Sequence, residues 1–422
     1  MLEFASFASA QAALLWGVFA VTFLMGAAVN KTNFCTMGAV SDWVNMGDKG
    51  RMRAWLLAVA VALLGVVVME RFGLVNADAA FPPYRAGQLL WAENLLGGLL
   101  FGIGMTLASG CGNKCLIRIG GGNLKSVMVL LVVGTIAYFM INPFPGSDQT
   151  LFSLLFAGWL RPLAANLGPA QDLGTLAAGV EGAKAARLYI GGALALGLLV
   201  LVFLSAEFRG QRDNILGGLA VGLAVVAVWW LSSSVLVQAE GDKHGLQAYV
   251  QQWDFLAGEE AKGKPADSRQ LAAQSLTFIA PMGQGLGYAA HGFSAAFLTT
   301  GVMALAGVVL GSLFWALVSR GFRIEWFASS RDFLYHLIGA VLMGFGGVLA
   351  MGCTIGQAVT GVSTLALGSF IAFAGIVLGS ALTMKVQYYR MVYEEASFLD
   401  ALRAGLADLR LLPQTLRKLD AV

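Results

Sequence analysis

The sequence predicts an all-α integral membrane protein with about nine transmembrane helices and four short re-entrant segments, arranged as an inverted-repeat hourglass. The first observation is the composition: 58% of the 422 residues are hydrophobic and 12% are charged, against about 25% charge in soluble domains. The second is that apolar runs long enough to cross about 30 Å of hydrocarbon recur along the chain. These runs are rich in Leu, Val, Ala and Gly without strand alternation, which favours helices over a closed barrel.

The third observation is an internal repeat. Residues 95–111 recur as residues 337–353 at a constant offset of 242, and nine of the 17 positions are identical. Each copy is an apolar, glycine-rich segment that ends at Gly-Cys and is followed by a polar stretch. Interrupted membrane helices at corresponding places of two halves are typical of transport sites.

Hydropathy places the spans and the short segments in order along the chain. The predicted spans lie near residues 11–29, 53–69, 91–109, 124–142, 187–206, 213–231, 296–319, 333–351 and 365–385. Four glycine-rich pieces are too short or too broken to cross, and we expect them to be re-entrant and covered by protein or a water-filled cavity. These pieces lie near residues 33–47, 111–123, 275–290 and 353–363.

This pattern predicts four parts along the chain. They are a first repeat half (1–142) with loops around Cys35 and Cys111, a connecting loop with a single linking span (143–212), a second, inverted half (213–386) with loops around Ala280 and Cys353, and a cytoplasmic amphipathic tail (387–422). The second half also contains an extracytoplasmic soluble insert, residues 238–270.

Lys and Arg are distributed unequally between the two predicted sides. Nine of the 27 fall on the side of the N-terminus and 18 on the other, and the side with the excess is expected to be cytoplasmic. The N-terminus is therefore predicted outside and the C-terminus inside. Because an odd number of crossings separates corresponding spans, the second half is upside down relative to the first. Cys111 then approaches the midplane from the cytoplasmic side and Cys353 from the outside.

The Gly-Cys ends of the two copies are candidate anion-binding sites. Each begins a short helix near the midplane, where unpaired N–H groups and the positive end of the helix dipole attract negative charge. The alternative is that the glycines only allow close helix packing and the cysteines are small buried fillers. Two cysteines at matched positions favour the functional interpretation. The candidates are Cys111 and Cys353, supported by Gly110, Gly112, Asn113, Lys114, Arg118, Gly352, Thr354 and Gln357.

A third candidate is Cys35, within Asn33-Phe34-Cys35. Its counterpart in the second half is Ala280, so a structural role that one half has lost stays open beside a functional role. Cys111 and Cys115 are four residues apart and would share a helix face. The three His are not near any cysteine in sequence, so the spacing does not indicate a metal site, which would need four ligands for zinc.

Other functional classes are not indicated. A net charge of +3 is too small to argue for nucleic acid, and no G-x-x-x-x-G-K-[ST] phosphate loop occurs. Four cysteines in so long a chain do not form a disulfide framework. The N-terminus lacks a basic region before its first apolar run, so no cleavable signal peptide is expected. We therefore expect neither an enzyme nor a bound cofactor.

At these residues the chain resembles the YeeE/YedE family of bacterial inner-membrane transporters of sulfur compounds. The resemblance covers roughly residues 15–385. It implies uptake of thiosulfate or a related sulfur-containing anion through an hourglass whose waist holds Cys35, Cys111 and Cys353. It also implies a small cytoplasmic sulfur-carrier protein, which would here be a separate partner because the chain has no Cys-Pro motif. The motifs that carry the resemblance are Asn33-Phe34-Cys35, Gly97 through Gly110-Cys111-Gly112-Asn113, and Gly339 through Met351-Gly352-Cys353.

The resulting hypothesis is a pathway of neutral thiols, surrounded by membrane lipid, along which a soft sulfur anion moves from Cys353 to Cys111 and Cys35. Two alternatives stay open. One is a membrane thiol–disulfide oxidoreductase with Cys111 and Cys115 as the exchanging pair. The other is a passive anion channel in which the cysteines only pack.

Overall fold

The computed structural model describes residues 1–256 and 264–420. Residues 257–263 of the predicted insert and 421–422 of the predicted tail lie outside the described residues. Within the described ranges, nine helices are long and apolar enough to cross a membrane. The prediction of an all-α, multi-pass membrane protein is confirmed.

Each repeat half consists of long spanning helices with shorter helices between them. The first half contains α1 (Phe7–Thr32), α2 (Thr36–Ser41), α3 (Gly50–Arg71), α4 (Trp91–Leu107), α5 (Gly112–Gly120) and α6 (Leu124–Ile141). The linking part contains α7 (Gly158–Leu160), α8 (Leu173–Phe203) and α9 (Ala206–Gly210). The second half and the tail contain α10 (Arg212–Ser234), α11 (Leu246–Gln251), α12 (Trp253–Leu256), α13 (Ile279–Ala290), α14 (Thr300–Val318), α15 (Ser330–Leu349), α16 (Leu367–Val392) and α17 (Phe398–Asp408).

The four short segments predicted between the spans are all helical. Helix α2 continues into a π-helical turn, Asp42–Met46, and α5 and α13 are short α-helices. The fourth segment, after Cys353, contains a π-helix at Ile355–Gly361. Each segment is shorter than the roughly 20 residues that a helix needs to span the bilayer.

Short strands join loops that are distant in sequence. The strands are β1 (Leu2–Phe4), β2 (Ala86–Leu89), β3 (Ala165–Ala170), β4 (Val235–Ala239) and β5 (Asp242–Gly245). Strand β1 pairs in parallel with β4, which pairs antiparallel with β5, and β2 pairs antiparallel with β3. The hydrogen bonds between β1 and β4 connect the N-terminal strand to the second half.

Helices α4 and α15, which carry the repeated sequence, cross at closely spaced glycines. A Cβ atom at Gly97 would lie 2.7 Å from the carbonyl oxygen of Gly346, and one at Gly104 would lie 2.6 Å from that of Gly339. Position 97 corresponds to 339 in the repeat and 104 to 346, so a two-fold rotation exchanges the two contacts. Early residues of one helix meet late residues of the other, so the helices run antiparallel. The second half is therefore inverted, as predicted.

The packing of neighbouring helices follows the same two-fold exchange. Helix α4 packs against α16 as α15 packs against α6, and α1 packs against α14 as α10 packs against α3. Helices α1 and α10, which correspond to each other, also pack together. Glycine-rich faces allow such close approach in lipid, where helices gain little from the hydrophobic effect. The two halves thus share one central interface.

The linking helix begins earlier than the hydropathy indicates. The predicted span started near residue 187, whereas α8 starts at Leu173 and ends at Phe203. Gly179 interrupts the first turns with φ 67° and ψ −177°, a conformation that glycine adopts without strain. Asp172 caps the helix by accepting hydrogen bonds from the N–H groups of Gly174 and Thr175.

A buried ionic network joins α8 to the loop between α3 and α4. Arg85 donates to both carboxylate oxygens of Glu70 at 2.6 and 2.8 Å, and Arg187 donates to both oxygens of Asp172 at 2.7 and 2.9 Å. Asp78 accepts hydrogen bonds from both arginines. The network therefore fixes the position of the linking helix against the first half.

Asp172, which lies just outside the spanning segment, remains ionised within this network. Burial opposes its ionisation, but hydrogen bonds from Arg187 and Thr175 outweigh burial and lower its pKa from 3.8 to about 2. Because its pKa is lowered, the carboxylate stabilises the fold fully at pH values above its ordinary pKa of 3.8. This stabilisation is lost as the pH falls through about 2. The Asp172 carboxylate therefore pairs with Arg187 as an ion at neutral pH.

Replacing Asp172 by asparagine should lower the free energy of unfolding by about 3 kcal/mol, because Arg187 is then buried with one carboxylate fewer. Thermal and denaturant unfolding of the detergent-purified protein, followed by circular dichroism, measures the change. Glu3→Gln is the matched control, since it removes the carboxylate of an exposed pair with Lys243 and should leave the free energy of unfolding nearly unchanged. Equal destabilisation by the two substitutions would contradict a structural role for the network.

Candidate functional site: a junction of three cysteines

Three cysteines stand directly before short helices. Cys35 is the N-cap of α2, Cys111 is the N-cap of α5, and Cys353 precedes the helical segment that begins at Thr354. All three side chains are buried, and all four cysteines of the chain are free thiols. The helix starts predicted at the two Gly-Cys ends are present, and Cys35 adds a third.

The same backbone turn leads into each of these cysteines. Two residues before them, Asn33, Ser109 and Met351 adopt left-handed conformations, with φ of 52°, 57° and 56°. Non-glycine residues adopt this conformation rarely. Its occurrence at the same position before three cysteines therefore indicates a shared backbone motif. The fourth segment differs: it has Ala280 in place of cysteine, and Phe278 has an ordinary φ of −129°.

In the two repeat copies this turn is a Schellman motif. The N–H of Gly110 donates to the carbonyl oxygen of Met105 at 2.8 Å, and the N–H of Gly352 donates to that of Gly347 at 2.8 Å. Such bonds end a helix by satisfying its last carbonyl groups. The chain can then change direction, and the next residue, the cysteine, begins a new helix.

Residues of both halves lie around Cys111. The hydroxyl of Thr36, at the start of α2, donates to the sulfur of Cys111 at 3.9 Å. Cys111 is within electrostatic range of both Cys35 and Cys353. Thr354 also lies beside Cys111. The structure thus brings together the three cysteines that the sequence singled out, at the interface of the two halves.

Two of the sulfur atoms accept hydrogen bonds from amides at the helix starts. The N–H of Gly38 donates to Cys35 at 3.5 Å, and the N–H of Gly356 donates to Cys353 at 3.4 Å. The side chain of Cys111 makes no such capping bond within the described structure. Because the first N–H groups of an α-helix have no intrahelical partner, the start of α5 can donate to a ligand.

Polar side chains at the junction carry buried oxygens without a hydrogen-bond partner among the described residues. They are Asn113 Oδ1, Thr354 Oγ1, Gln357 Oε1 and Thr277 Oγ1. Buried polar atoms are almost always paired, so these groups have unused capacity to hydrogen-bond a polar ligand or water. A hydroxyl can donate, and an amide can present its NH2 group when it turns over.

Positive charge lies on the first-half side of the junction. Lys114 Nζ donates to Asn33 Oδ1, so it contacts the turn before Cys35. Arg118 follows one turn later on α5. The corresponding residues of the second half, Gly356 and Thr360, are uncharged. An anion at the junction is therefore attracted towards the first-half segments.

A cavity of about 330 Å³ lies next to the junction on the side of the C-terminus. Its walls come from α2, the end of α4 and the end of α16, and include Met37, Thr106, Ser109, Met384 and Tyr388. Met37 is two residues from Cys35, and Ser109 is two residues from Cys111. The cavity wall therefore carries both thioethers and hydroxyl groups.

Cys115 lies one turn beyond Cys111 on α5 and is buried. Its thiol donates to the carbonyl oxygen of Gly110 at 3.9 Å, so it contacts the turn that precedes Cys111. In the part of the chain that the structure describes, no three His, Cys, Asp or Glu side chains form a group that could hold a metal ion. The junction offers thiols, amides and hydroxyl groups to a ligand.

The sequence analysis missed two residues of the junction. Thr36 contacts Cys111, and a signal was available because both Cys35 and Cys353 are followed by threonine. The guanidinium of Arg51, on α3, lies against Gly38 at the start of α2. No local pattern around Cys35 indicated that contact, because it depends on how α3 returns along α2.

These features define a class of multi-pass membrane protein in which two inverted halves meet at a buried junction of thiols. The chain belongs to the sulphur-transport family, whose model matches residues 31–382. The resemblance inferred from the Gly-Cys motifs is thereby confirmed.

Two relatives match nearly the whole chain. The thiosulfate transporter TsuA of Escherichia coli (strain K12) is 24% identical over 366 residues, which cover 84% of this chain and 90% of the relative. The thiosulfate transporter TsuA of Spirochaeta thermophila is 24% identical over 375 residues, which cover 87% and 97%. The similarity therefore extends over both repeat halves and the linking span.

Proposed function

We propose that the protein carries thiosulfate or a related sulfur-containing anion into the cell across a bacterial inner membrane, as a transporter and not as an enzyme. The observation that carries this proposal is the buried junction of Cys35, Cys111 and Cys353 at three helix starts. Membership of the sulphur-transport family and the names of the two relatives support the substrate class.

The proposed route runs from Cys353 on the outer side to Cys111 and Cys35 on the inner side. The excess of Lys and Arg supports an N-terminus outside and a C-terminus in the cytoplasm. The cavity beside Met37 and Ser109 supports an exit on the C-terminal side. Lys114 and Arg118 then attract the anion towards the cytoplasm.

The chemistry of the junction suits an anion with one soft sulfur and several hard oxygens. A neutral thiol is a weak donor with a polarisable sulfur, so it contacts the terminal sulfur without binding it tightly. Helix N-terminal amides and the Thr354 hydroxyl suit the oxygens. Weak contacts of both kinds allow the anion to be released, which rapid transport requires.

Passage requires movement at the junction. Cys353 is 0% exposed and Cys35 is 6% exposed, so a substrate reaches them only when the short helices separate. Close backbone contacts between α4 and α15 keep the two Gly-Cys turns in place. These two helices stay fixed during transport. The short helices that begin at the cysteines are the moving parts, because the left-handed turns before them act as joints.

The predicted parts of the chain take roles in this proposal. Residues 1–142 and 213–386 form the two inverted halves, and 143–212 connects them. The 238–270 insert is extracytoplasmic, and the tail 387–422 is cytoplasmic and accessible to a separate sulfur-carrier protein. Helix α17 of this tail packs against α16.

Uptake of radiolabelled anions into proteoliposomes tests the proposal. We expect uptake of thiosulfate and little uptake of sulfate, because sulfate has the same charge but lacks the terminal sulfur. A panel that includes sulfite, sulfide and selenium analogues then defines the substrate. Equal uptake of sulfate and thiosulfate would contradict recognition through the thiols.

The same assay separates transport from thiol–disulfide exchange. Cys115→Ser should retain most of the uptake, since the second half has no cysteine at the corresponding position and the Cys115 thiol donates to the turn at Gly110. An oxidoreductase that uses Cys111 and Cys115 as its exchanging pair would lose its activity in this variant. Loss of thiosulfate uptake in Cys115→Ser would therefore favour the oxidoreductase.

A further inference from the structure

A large groove opens on the outer surface of the protein between α3, α8 and α16, and its lining includes none of the cysteines. We call it the α3–α8–α16 groove. Its volume is about 1130 Å³, which exceeds the range of about 300–1,000 Å³ typical of small-molecule sites. Lining residues such as Leu201 and Trp43 are 53% and 44% exposed, so the groove faces the membrane and not the interior.

The groove has an apolar wall and a cationic rim. Leu56, Leu201, Phe373 and Val377 form part of the wall. The lining of α16 runs from Phe370 to Lys385, which is about 22 Å along a helix axis and is comparable to one leaflet with its headgroup layer. Lys49, Arg53 and Arg410 lie at the end where α3 begins and α8 and α16 end.

The rim cations form no ion pair with any residue that the structure describes. Among the described residues, no ion pair involves Lys49, Arg53 or Arg410. Asp408, the carboxylate in the groove lining, already pairs with Lys385 at 3.2 Å and with Arg417 at 3.1 Å. The rim therefore presents net positive charge at the depth where lipid headgroups lie.

We propose that the α3–α8–α16 groove binds one anionic glycerophospholipid. Its acyl chains lie against Phe373 and Val377, and its phosphate lies among Lys49, Arg53 and Arg410. Apolar burial along the wall and attraction at the rim act together, and basic sites between membrane helices recognise anionic headgroups in this way. Trp43 at the rim is typical of the membrane–water interface. This site is separate from the pathway and does not depend on the transported substrate.

The helices pack closely at the end of the groove opposite the cationic rim. There α8 packs against α3 through Ala195, Leu63 and Val67, and Leu365 closes the cluster. Nearer the cationic rim, the side chains of Leu56, Leu201 and Phe373 line open space instead of filling it. An acyl chain supplies the apolar contacts that the helices do not make there.

Native mass spectrometry of the detergent-purified protein tests the proposal by titration with phosphatidylglycerol and with phosphatidylcholine of the same chain length. We expect tighter binding of phosphatidylglycerol. The double variant Arg53→Gln/Arg410→Gln should weaken phosphatidylglycerol binding about thirtyfold, given the typical effect of two basic residues near a headgroup. Phosphatidylcholine binding should change little. Equal affinity of the wild-type protein for both lipids would overturn the proposal.

Two further variants make the test specific. Arg320→Gln/Arg323→Gln removes the same charge from exposed residues on the same side of the protein, outside the groove, and should leave binding unchanged. Ala374→Trp fills the groove from an exposed position on its wall and keeps every charge. It should therefore weaken the binding of both phosphatidylglycerol and phosphatidylcholine. An equal loss in the Arg320/Arg323 variant would show a general surface effect, and unchanged binding in Ala374→Trp would exclude acyl chains from the groove. Gel filtration of each variant verifies folding.

Discussion

Replacing either Cys111 or Cys353 by alanine will abolish thiosulfate-dependent growth of a host that lacks its own thiosulfate uptake. The two cysteines occupy equivalent turns of the inverted halves, and in the proposed function each supplies a thiol that contacts the soft sulfur of the anion. Alanine keeps the buried volume nearly unchanged and removes only the sulfur. In proteoliposomes the initial rate of uptake should fall about tenfold or more, which corresponds to the loss of about 1.4 kcal/mol of stabilisation.

The controls for this experiment use the remaining thiols. Cys115→Ala removes a buried thiol from the same short helix and should support growth, so it controls for packing. Cys35→Ala should impair growth as well, since Cys35 starts the third helix at the junction. Full growth of both the Cys111 and Cys353 variants, at wild-type levels of protein in the membrane, would refute the thiol pathway.

Replacing Gly104 by valine should prevent the two halves from packing and remove most of the folded protein. A Cβ atom at Gly104 would lie 2.6 Å from the carbonyl oxygen of Gly339, and backbone cannot move aside as a flexible side chain can. Overpacking of an interior costs about 1–3 kcal/mol and more where backbone must shift. The crossing of α4 and α15 lies at the two-fold centre of the fold. Loss of their close packing therefore disturbs both Gly-Cys turns.

Gly197→Val is the matched control, since a Cβ atom at Gly197 on α8 meets no atom within 4 Å. The yield of monodisperse protein and its thermal unfolding temperature measure both substitutions. We expect a near wild-type result for the Gly197 variant. A Gly104 variant of equal yield and unfolding temperature would mean that the helices do not cross as closely as described.

Much of the fold could be predicted because its strongest signals are local. An apolar run of about 20 residues is sufficient to indicate a span, and all nine were found in this way. The inversion followed from the repeat together with the number of crossings. The start of α8 was misplaced because Glu181, Lys184 and Arg187 reduce the hydropathy of its first turns, although Asp172 and Asp78 neutralise Arg187 in the structure.

The candidate site was predicted in part for the same reason. Gly110-Cys111 and Gly352-Cys353 could be identified because the same sequence motif occurs in both repeat copies. The left-handed conformations of Ser109 and Met351 have no sequence signal, since neither residue type favours them. The contact of Thr36 with Cys111 and the pairing of Arg85 with Glu70 depend on how distant segments meet. Such contacts follow from the assembled fold and cannot be read from a local pattern.

In the proposed function, the anion's terminal sulfur contacts the thiols at the junction of the two halves. Anomalous X-ray scattering from crystals soaked with selenosulfate, in which selenium replaces that sulfur, measures its position directly. We predict an anomalous peak beside Cys111 and Cys353, and its loss in the variants that lack these thiols. Selenium bound elsewhere, with the junction empty in a protein that transports the anion, would contradict the account.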